Sequence, residues 1–205
     1  MPRPVPREAR LELELPAGND SSGVCVWDVS HLLPKRLHPR RADIRPEGQD
    51  IERLYTHHSG ALGLPGFKGM LNSARYVVGQ RDFPGFPYHF WFPYEPVVDP
   101  RGCLVIFRGH RDEYRAWHTG GRANDHGVAV CWQGDLRHKE PSPNQLELAE
   151  AFYPWAVQRY QLKRPDQLSF HSEADKYGGR KKPSCPGPHV ENWLRRWRRE
   201  LFATS

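Results

Sequence analysis

Three side chains in this sequence have the types and settings that hold a soft transition metal. His57 ends the run Ile51 to Thr56 and leads into the polar turn His58-Ser59-Gly60. His171 ends the short apolar run Leu168-Ser169-Phe170. Cys185 follows 14 residues later in Lys182-Pro183-Ser184-Cys185-Pro186-Gly187, a polar turn with no apolar neighbour to give a cysteine a packing role. In an open α/β sheet, ligands collect at strand ends. Two imidazoles and one thiolate make a tetrahedral Zn²⁺ site with one position left open, the layout of a catalytic zinc. The spacing is not that of a zinc finger, so an unrelated set of residues stays open as the alternative. His118 also ends an apolar stretch at a polar turn. His89 is expected to pack or hydrogen-bond beneath a sheet, and the remaining histidines read as surface groups.

The elements that would carry these residues alternate along the chain. Strands are expected over 24–29, 51–57, 88–94, 103–108, 127–132 and 168–170. Helices are expected over 68–80, where Met70, Leu71, Ala74, Val77 and Val78 keep helical spacing, and over 143–161. Pro154 should kink or shorten the second of these. A last amphipathic helix, 189–202, places Trp193, Leu194, Trp197 and Leu201 on one side. The expected class is α/β, a single central mixed β-sheet flanked by helices. Residues 1–22, with Pro2, Pro4, Pro6 and Pro16, read as a flexible lead-in, and residues 23–205 as one domain.

Composition narrows the classes. The chain has 205 residues, with 20 Pro and 18 Gly, which excludes a long coiled coil or a helical bundle. Aromatic residues at 12% supplement a thin aliphatic core. No run of 18 apolar residues exists to cross a membrane as a helix, and Met1 to Arg10 lacks the apolar stretch of a secretory signal. The expected site of synthesis and retention is the cytoplasm. The net charge is +6. Its whole excess lies in residues 176–205, which carry eight basic and two acidic side chains. A basic, aromatic-bearing end suits nucleic acid, an anionic membrane or an anionic wall, or is simply a solvated helix face. The four cysteines make no CxxC pair, so a disulfide framework is not expected. Cys25, Cys103 and Cys131 lie in strand-like runs and read as small core residues.

A set of short motifs in order resembles one family. The set is Tyr55-Thr56-His57-His58-Ser59-Gly60-Ala61, Pro87-Tyr88-His89-Phe90, Ala116-Trp117-His118-Thr119-Gly120-Gly121, Phe170-His171-Ser172-Glu173 and Cys185-Pro186-Gly187. The chain from about residue 50 to 195 resembles the zinc-dependent N-acetylmuramoyl-L-alanine amidases, which include phage lysozyme-type amidases, bacterial recycling amidases and animal peptidoglycan recognition proteins. The resemblance implies the amidase and peptidoglycan-recognition fold. It implies that His57, His171 and Cys185 bind Zn²⁺, with His58 beside them. Tyr88 corresponds to a tyrosine beside the zinc and His118 to a histidine of the substrate groove. Zinc would polarise the lactyl carbonyl of muramic acid and acidify a bound water, with Tyr88 and Lys182 as donors to the oxyanion.

Two departures stand out. Phage enzymes carry a lysine two residues before the third ligand; here Pro183 is there, and Lys182 is three before. A Lys-Pro-Ser-Cys turn would return Lys182 to the metal; otherwise it is a solvated basic loop. The strand that carries a glutamate in the recycling amidases is here Gly127-Val128-Ala129-Val130, without a carboxylate. Trp117 and Asn124 flank the groove histidine and are candidate contacts to glycan or peptide.

The implied function is hydrolysis of the amide between N-acetylmuramic acid and L-alanine in peptidoglycan, as in an endolysin. The implied partner is peptidoglycan or a muropeptide, met by a monomer whose basic C-terminus contacts an anionic wall or membrane. The alternatives are a muropeptide-binding module that does not cut, and a nucleic-acid-binding protein, for which no motif accompanies the charge.

Overall fold

The computed structural model describes residues 4–15, 23–36, 43–45 and 49–203. Its strands are β1 (Arg10–Leu15), β2 (Val24–Asp28), β3 (Arg53–His58), β4 (Phe90–Phe92), β5 (Leu104–Arg108), β6 (Gly127–Trp132) and β7 (Leu168–Phe170). The helices are α1 (Gly66–Gln80), α2 (Pro143–Arg159) and α3 (Pro188–Ala203). All seven strands form one sheet in the order β1-β2-β5-β4-β6-β3-β7. It is mixed: β1 runs antiparallel to β2, and β4 to β5, while the other neighbours are parallel.

Alternation along the strands divides the core between two faces. Phe90 and Phe92, Ile106, Val128, Val130 and Trp132 point to the face covered by α2 and α3. Trp91, Val105, Phe107 and Cys131 point to the face covered by α1, against Met70 and Ala74. α2 begins with a capping box, Ser142 and Gln145 exchanging side-chain to backbone bonds, with Pro143 where a missing N–H costs nothing. Gln145 Nε2 also donates to the Phe92 and Gln133 carbonyls at 3.2 and 2.9 Å, tying the helix start to two strand ends. α3 lays Trp193 and Trp197 on Tyr153 of α2, with ring centroids 6.2 and 5.6 Å away.

The structure corrects two expectations and narrows a third. Residues 10–15 are not part of a flexible lead-in. Arg-Leu-Glu-Leu-Glu-Leu alternates with period two and forms edge strand β1, with Leu13 and Leu15 against the core. Glu12 and Glu14 pair with Arg108 and Arg101. Residues 1–3 and 16–22 of that lead-in lie outside the described residues. The strand expected over 88–94 is confined to Phe90–Phe92, which leaves Tyr88 in the segment entering it. Of the two effects expected of Pro154, an early end of α2 does not occur: the proline sits on the exposed side of the helix and five further residues follow. Among the described residues no helix is long and apolar enough to cross a membrane.

Candidate metal centre

Register brings the two histidines together. β3 and β7 are parallel neighbours with Thr56 opposite Phe170, so the next residue on each, His57 and His171, reaches the same sheet end. His57 pairs with Cys131 of β6 and therefore points to the α1 face, while His58 turns to the other. His58 Nδ1 there accepts the Leu136 N–H at 3.1 Å.

Cys185 is delivered by backbone hydrogen bonds. Lys182 N donates to the His171 carbonyl at 3.2 Å, Cys185 N to the Lys182 carbonyl at 3.0 Å, and Ser172 N to the Cys185 carbonyl at 2.9 Å. This closed turn carries Lys182 to the same cleft as His171 and Cys185.

The ligand atoms His57 Nδ1 and His171 Nδ1 lie 3.1 Å apart, and Cys185 Sγ is 3.8 Å from His57 Nδ1. All three fall within 4.8 Å of one another. Tetrahedral zinc with its usual bond lengths separates two nitrogens by about 3.3 Å and nitrogen from sulfur by about 3.6 Å. The donor set and its spacing therefore fit zinc. His57 is fully buried and Cys185 nearly so. Burial, with the neighbouring His171 and His118, holds the His57 imidazole neutral, well below its usual range. Burial and then Lys182 push His171 down to about 4. Burial pushes the Cys185 thiol up to about 12. Both imidazoles are thus ready ligands, and only the thiol must lose a proton.

Two residues expected in the substrate groove have additional structural ties. His118 is 6% exposed, and its Nδ1 lies 3.2 Å from His57 Nε2. Its Nε2 is buried and makes no well-formed hydrogen bond. If His57 binds metal through Nδ1, its proton sits on Nε2, and His118 Nδ1 is the acceptor in place. His118→Leu should then weaken zinc binding by about 10- to 100-fold in chelator competition. His118→Gln, which keeps an acceptor, should recover most of it. Unchanged affinity in the leucine variant would leave His118 with substrate alone.

Asn124 directs its Oδ1 inward to the Thr119 and Gly120 N–H groups at 3.0 and 3.1 Å and to the Thr119 hydroxyl at 3.1 Å. That carbonyl fixes the 118–124 loop and is not available to a ligand. Trp117 lies at the cleft, 6.0 Å from the Phe83 ring.

The centre opens into a cleft of about 760 Å³. Tyr76, Phe83 and Trp117 line it, and Arg81, Arg180 and Lys182 supply cations. Gly121 lets the 118–124 loop approach the loop carrying Arg180: a Cβ there would lie 2.2 Å from the Gly178 carbonyl oxygen, and its φ is +59°. Arg180 N then reaches the Thr119 carbonyl at 2.7 Å. Sequence reasoning passed over Tyr76, Phe83 and Arg81, and counted Arg180 only as part of the basic C-terminal excess. Tyr76, an aromatic residue off the apolar stripe of its helix, was the detectable signal, and the structure leaves it 54% exposed. Tyr88 stands with its ring 5.1 Å from that of His57. Burial, then Cys131 and Cys185, raises its phenol well above the usual range.

A mixed seven-stranded sheet with flanking helices, holding His, His and Cys at the floor of an open cleft, defines a protein of the amidase and peptidoglycan-recognition class. Residues 47–188 match the family described as N-acetylmuramoyl-L-alanine amidase, and the chain belongs to that family. Solved structures agree on the fold. Drosophila PGRP-LB is 18% identical, with a TM-score of 0.62 over 85% of this chain and 94% of that one. The N-acetylmuramoyl-L-alanine amidase LysC from Clostridium intestinale is 17% identical, with a TM-score of 0.58 over 84% and 95%. The ectodomain complex of peptidoglycan recognition proteins LCa and LCx, bound to tracheal cytotoxin, gives 17% identity and a TM-score of 0.63 over 84% and 95%. No curated protein matches the sequence.

Proposed function

We propose that the protein is a zinc-dependent amidase that hydrolyses the bond between N-acetylmuramic acid and L-alanine in peptidoglycan, in the manner of an endolysin. The observation that carries this reading is the convergence of His57, His171 and Cys185 with Tyr88 and Lys182 on one cleft. When bound, zinc supplies Lewis-acid polarisation of the scissile carbonyl and acidifies water. The chain's own residues do the rest. His118 orients His57. Tyr88, kept neutral by burial, donates its O–H to the oxygen that gains charge. Lys182 brings a positive charge to the same place. The aromatic rings of Tyr76 and Trp117 suit the face of a sugar, and Arg180 suits a carboxylate of the peptide stem.

Purified peptidoglycan should release new L-alanine amines, and a chelator should stop the release. A metal-free protein that keeps its activity would sink the zinc reading. Binding of muropeptide without amine release would favour a recognition module; tracheal cytotoxin is bound to the ectodomain complex of the peptidoglycan recognition proteins LCa and LCx. The complete ligand trio supports cutting.

The basic C-terminus is proposed to dock on the anionic wall. A cavity of about 880 Å³ lies between α3, Leu146 of α2 and Pro165, bordered by Arg195, Arg196, Arg198 and Arg199. Two of these arginines are committed within the fold: Arg195 to Glu173 and Glu191, and Arg198 to the Leu168 carbonyl. Arg196 and Arg199 are exposed. Arg196→Glu with Arg199→Glu should weaken wall binding at low salt and spare cleavage of a small muropeptide. The difference should vanish near 1 M salt, where screening acts within about 3 Å. Equal wall binding by both proteins at low salt would remove the docking role. Deleting 195–205 is a poorer test, because Trp197, Leu201 and Phe202 pack against the core.

A further inference from the structure

Away from the metal centre, two cysteines meet at the entry to β2 and β5. Cys25 lies on β2 and is fully buried; Cys103 precedes β5 and is half-buried. In the parallel register Cys25 lies opposite Val105. Cys103, two residues before Val105, therefore shares a face of the sheet with Cys25. The two sulfurs and an Asp99 carboxylate oxygen all fall within 4.8 Å of one another. Opposite Cys103 stands Gly23, where a Cβ would come within 3.2 Å of the Cys103 sulfur.

Such a trio invites a metal reading, but its carboxylate is already committed. Asp99 Oδ1 accepts from the N–H groups of Arg101 and Cys103, and Oδ2 accepts from Arg101 Nε and Nη2 at 3.1 and 2.9 Å. The same guanidinium reaches the Cys25 sulfur at 3.2 Å. A metal ion would have to displace this cation. Burial, then Cys103 and Asp99, hold the Cys25 thiol well above its usual range, so Cys25 rests protonated, with the Arg101 guanidinium as the neighbouring donor to its sulfur.

We propose that Cys25 and Cys103 are a redox-active dithiol that closes to an intramolecular disulfide by exchange with a small-molecule disulfide. Cys103 is the accessible member. Its thiolate attacks one sulfur of the external disulfide, forms a mixed disulfide and expels one small thiolate. Cys25 gives up its proton to that thiolate, attacks the Cys103 sulfur beside Arg101, and expels the second small thiolate, which takes up from solvent the proton that Cys103 first lost. Two protein thiols are oxidised and one external disulfide is reduced to two thiols. The sulfurs must close to about 2.05 Å, and because Cys103 is a diagonal neighbour of Cys25 across the two strands, the backbone at Cys103, outside β5, must shift toward β2 as the bond forms. The product ties β2 to β5 when the chain meets an oxidising medium.

The test treats the full-length, zinc-loaded protein with oxidised glutathione, then alkylates under denaturing conditions and measures intact and peptide masses. The expected product is lighter by two hydrogens before alkylation, carries no glutathione, and yields one peptide pair joining Cys25 to Cys103. Cys25→Ser should stop at a glutathione adduct on Cys103, and Cys103→Ala should leave Cys25 unmodified. A stable adduct on wild-type Cys103, a link to Cys131 or Cys185, or four free thiols would overturn the proposal. The wild-type result decides the matter even if a variant folds poorly, and none of it depends on amidase activity.

Discussion

Cys185→Ala is expected to abolish zinc retention, from about one ion per chain to none, and to cut amide hydrolysis by about 10³-fold or more. The size follows from what the metal contributes: charge stabilisation of several kcal/mol, at about 1.4 kcal/mol per factor of ten. The variant should keep its fold, since a small residue replaces a small one at a buried turn held by backbone hydrogen bonds. Uptake of zinc gives a second readout that activity cannot mimic. Burial leaves the Cys185 thiol protonated, with its pKa pushed up to about 12, while His171, pushed down to about 4, is already neutral at pH 6. Zinc binding near pH 6 should release about one proton, measured by calorimetry in buffers of different ionisation heat. In Cys185→Ala neither binding heat nor proton release should remain. Release of two or more protons in the wild type would mean that a histidine is charged in the free protein. Retention of zinc by the variant would remove Cys185 from the ligand set.

How far this centre was readable in the sequence depends on the residue. Cys185 was legible because a cysteine in Lys-Pro-Ser-Cys-Pro-Gly has no apolar company, and His57 and His171 because each follows an apolar run. What joins them is non-local. The pairing of β3 with β7 and the hydrogen bonds between the 171–172 and 182–185 segments leave no trace in residue spacing. The central strands could be read as short apolar runs, since both their faces are buried, and the three helices from the spacing of their apolar residues. β1 escaped although Leu11, Leu13 and Leu15 alternate perfectly, because an edge strand keeps charged residues on its open face and prolines lay on either side. His118 and Asn124 show the opposite limit. Their motif pointed to the groove, but their polar atoms are also turned toward His57 and toward their own loop, contacts set by tertiary packing.

Tyr88→Phe is expected to lower kcat by about 10²- to 10³-fold, the usual loss when one oxyanion donor is removed, while zinc content stays at that of the parent. The substitution deletes only the hydroxyl. The ring keeps its contacts with His57 at 5.1 Å and Phe86 at 5.4 Å, so packing around the metal ligand is preserved. Burial raises the phenol well above its usual range, so Tyr88 is a neutral donor near neutral pH and adds no limb to the pH profile there. Its O–H is most useful when charge has developed on the substrate oxygen, so KM should move less than kcat. Lys182 tests the assignment further. It is exposed, and its backbone is fixed by the turn to His171 and Cys185. If both groups serve one oxygen, Tyr88→Phe combined with Lys182→Met should cost less than the product of the single losses, because each stabilises the same charge. Multiplying losses would assign Lys182 a separate task, such as holding a substrate carboxylate. An unchanged kcat in Tyr88→Phe would reduce the tyrosine to a wall of the cleft and leave the oxyanion to the metal and Lys182.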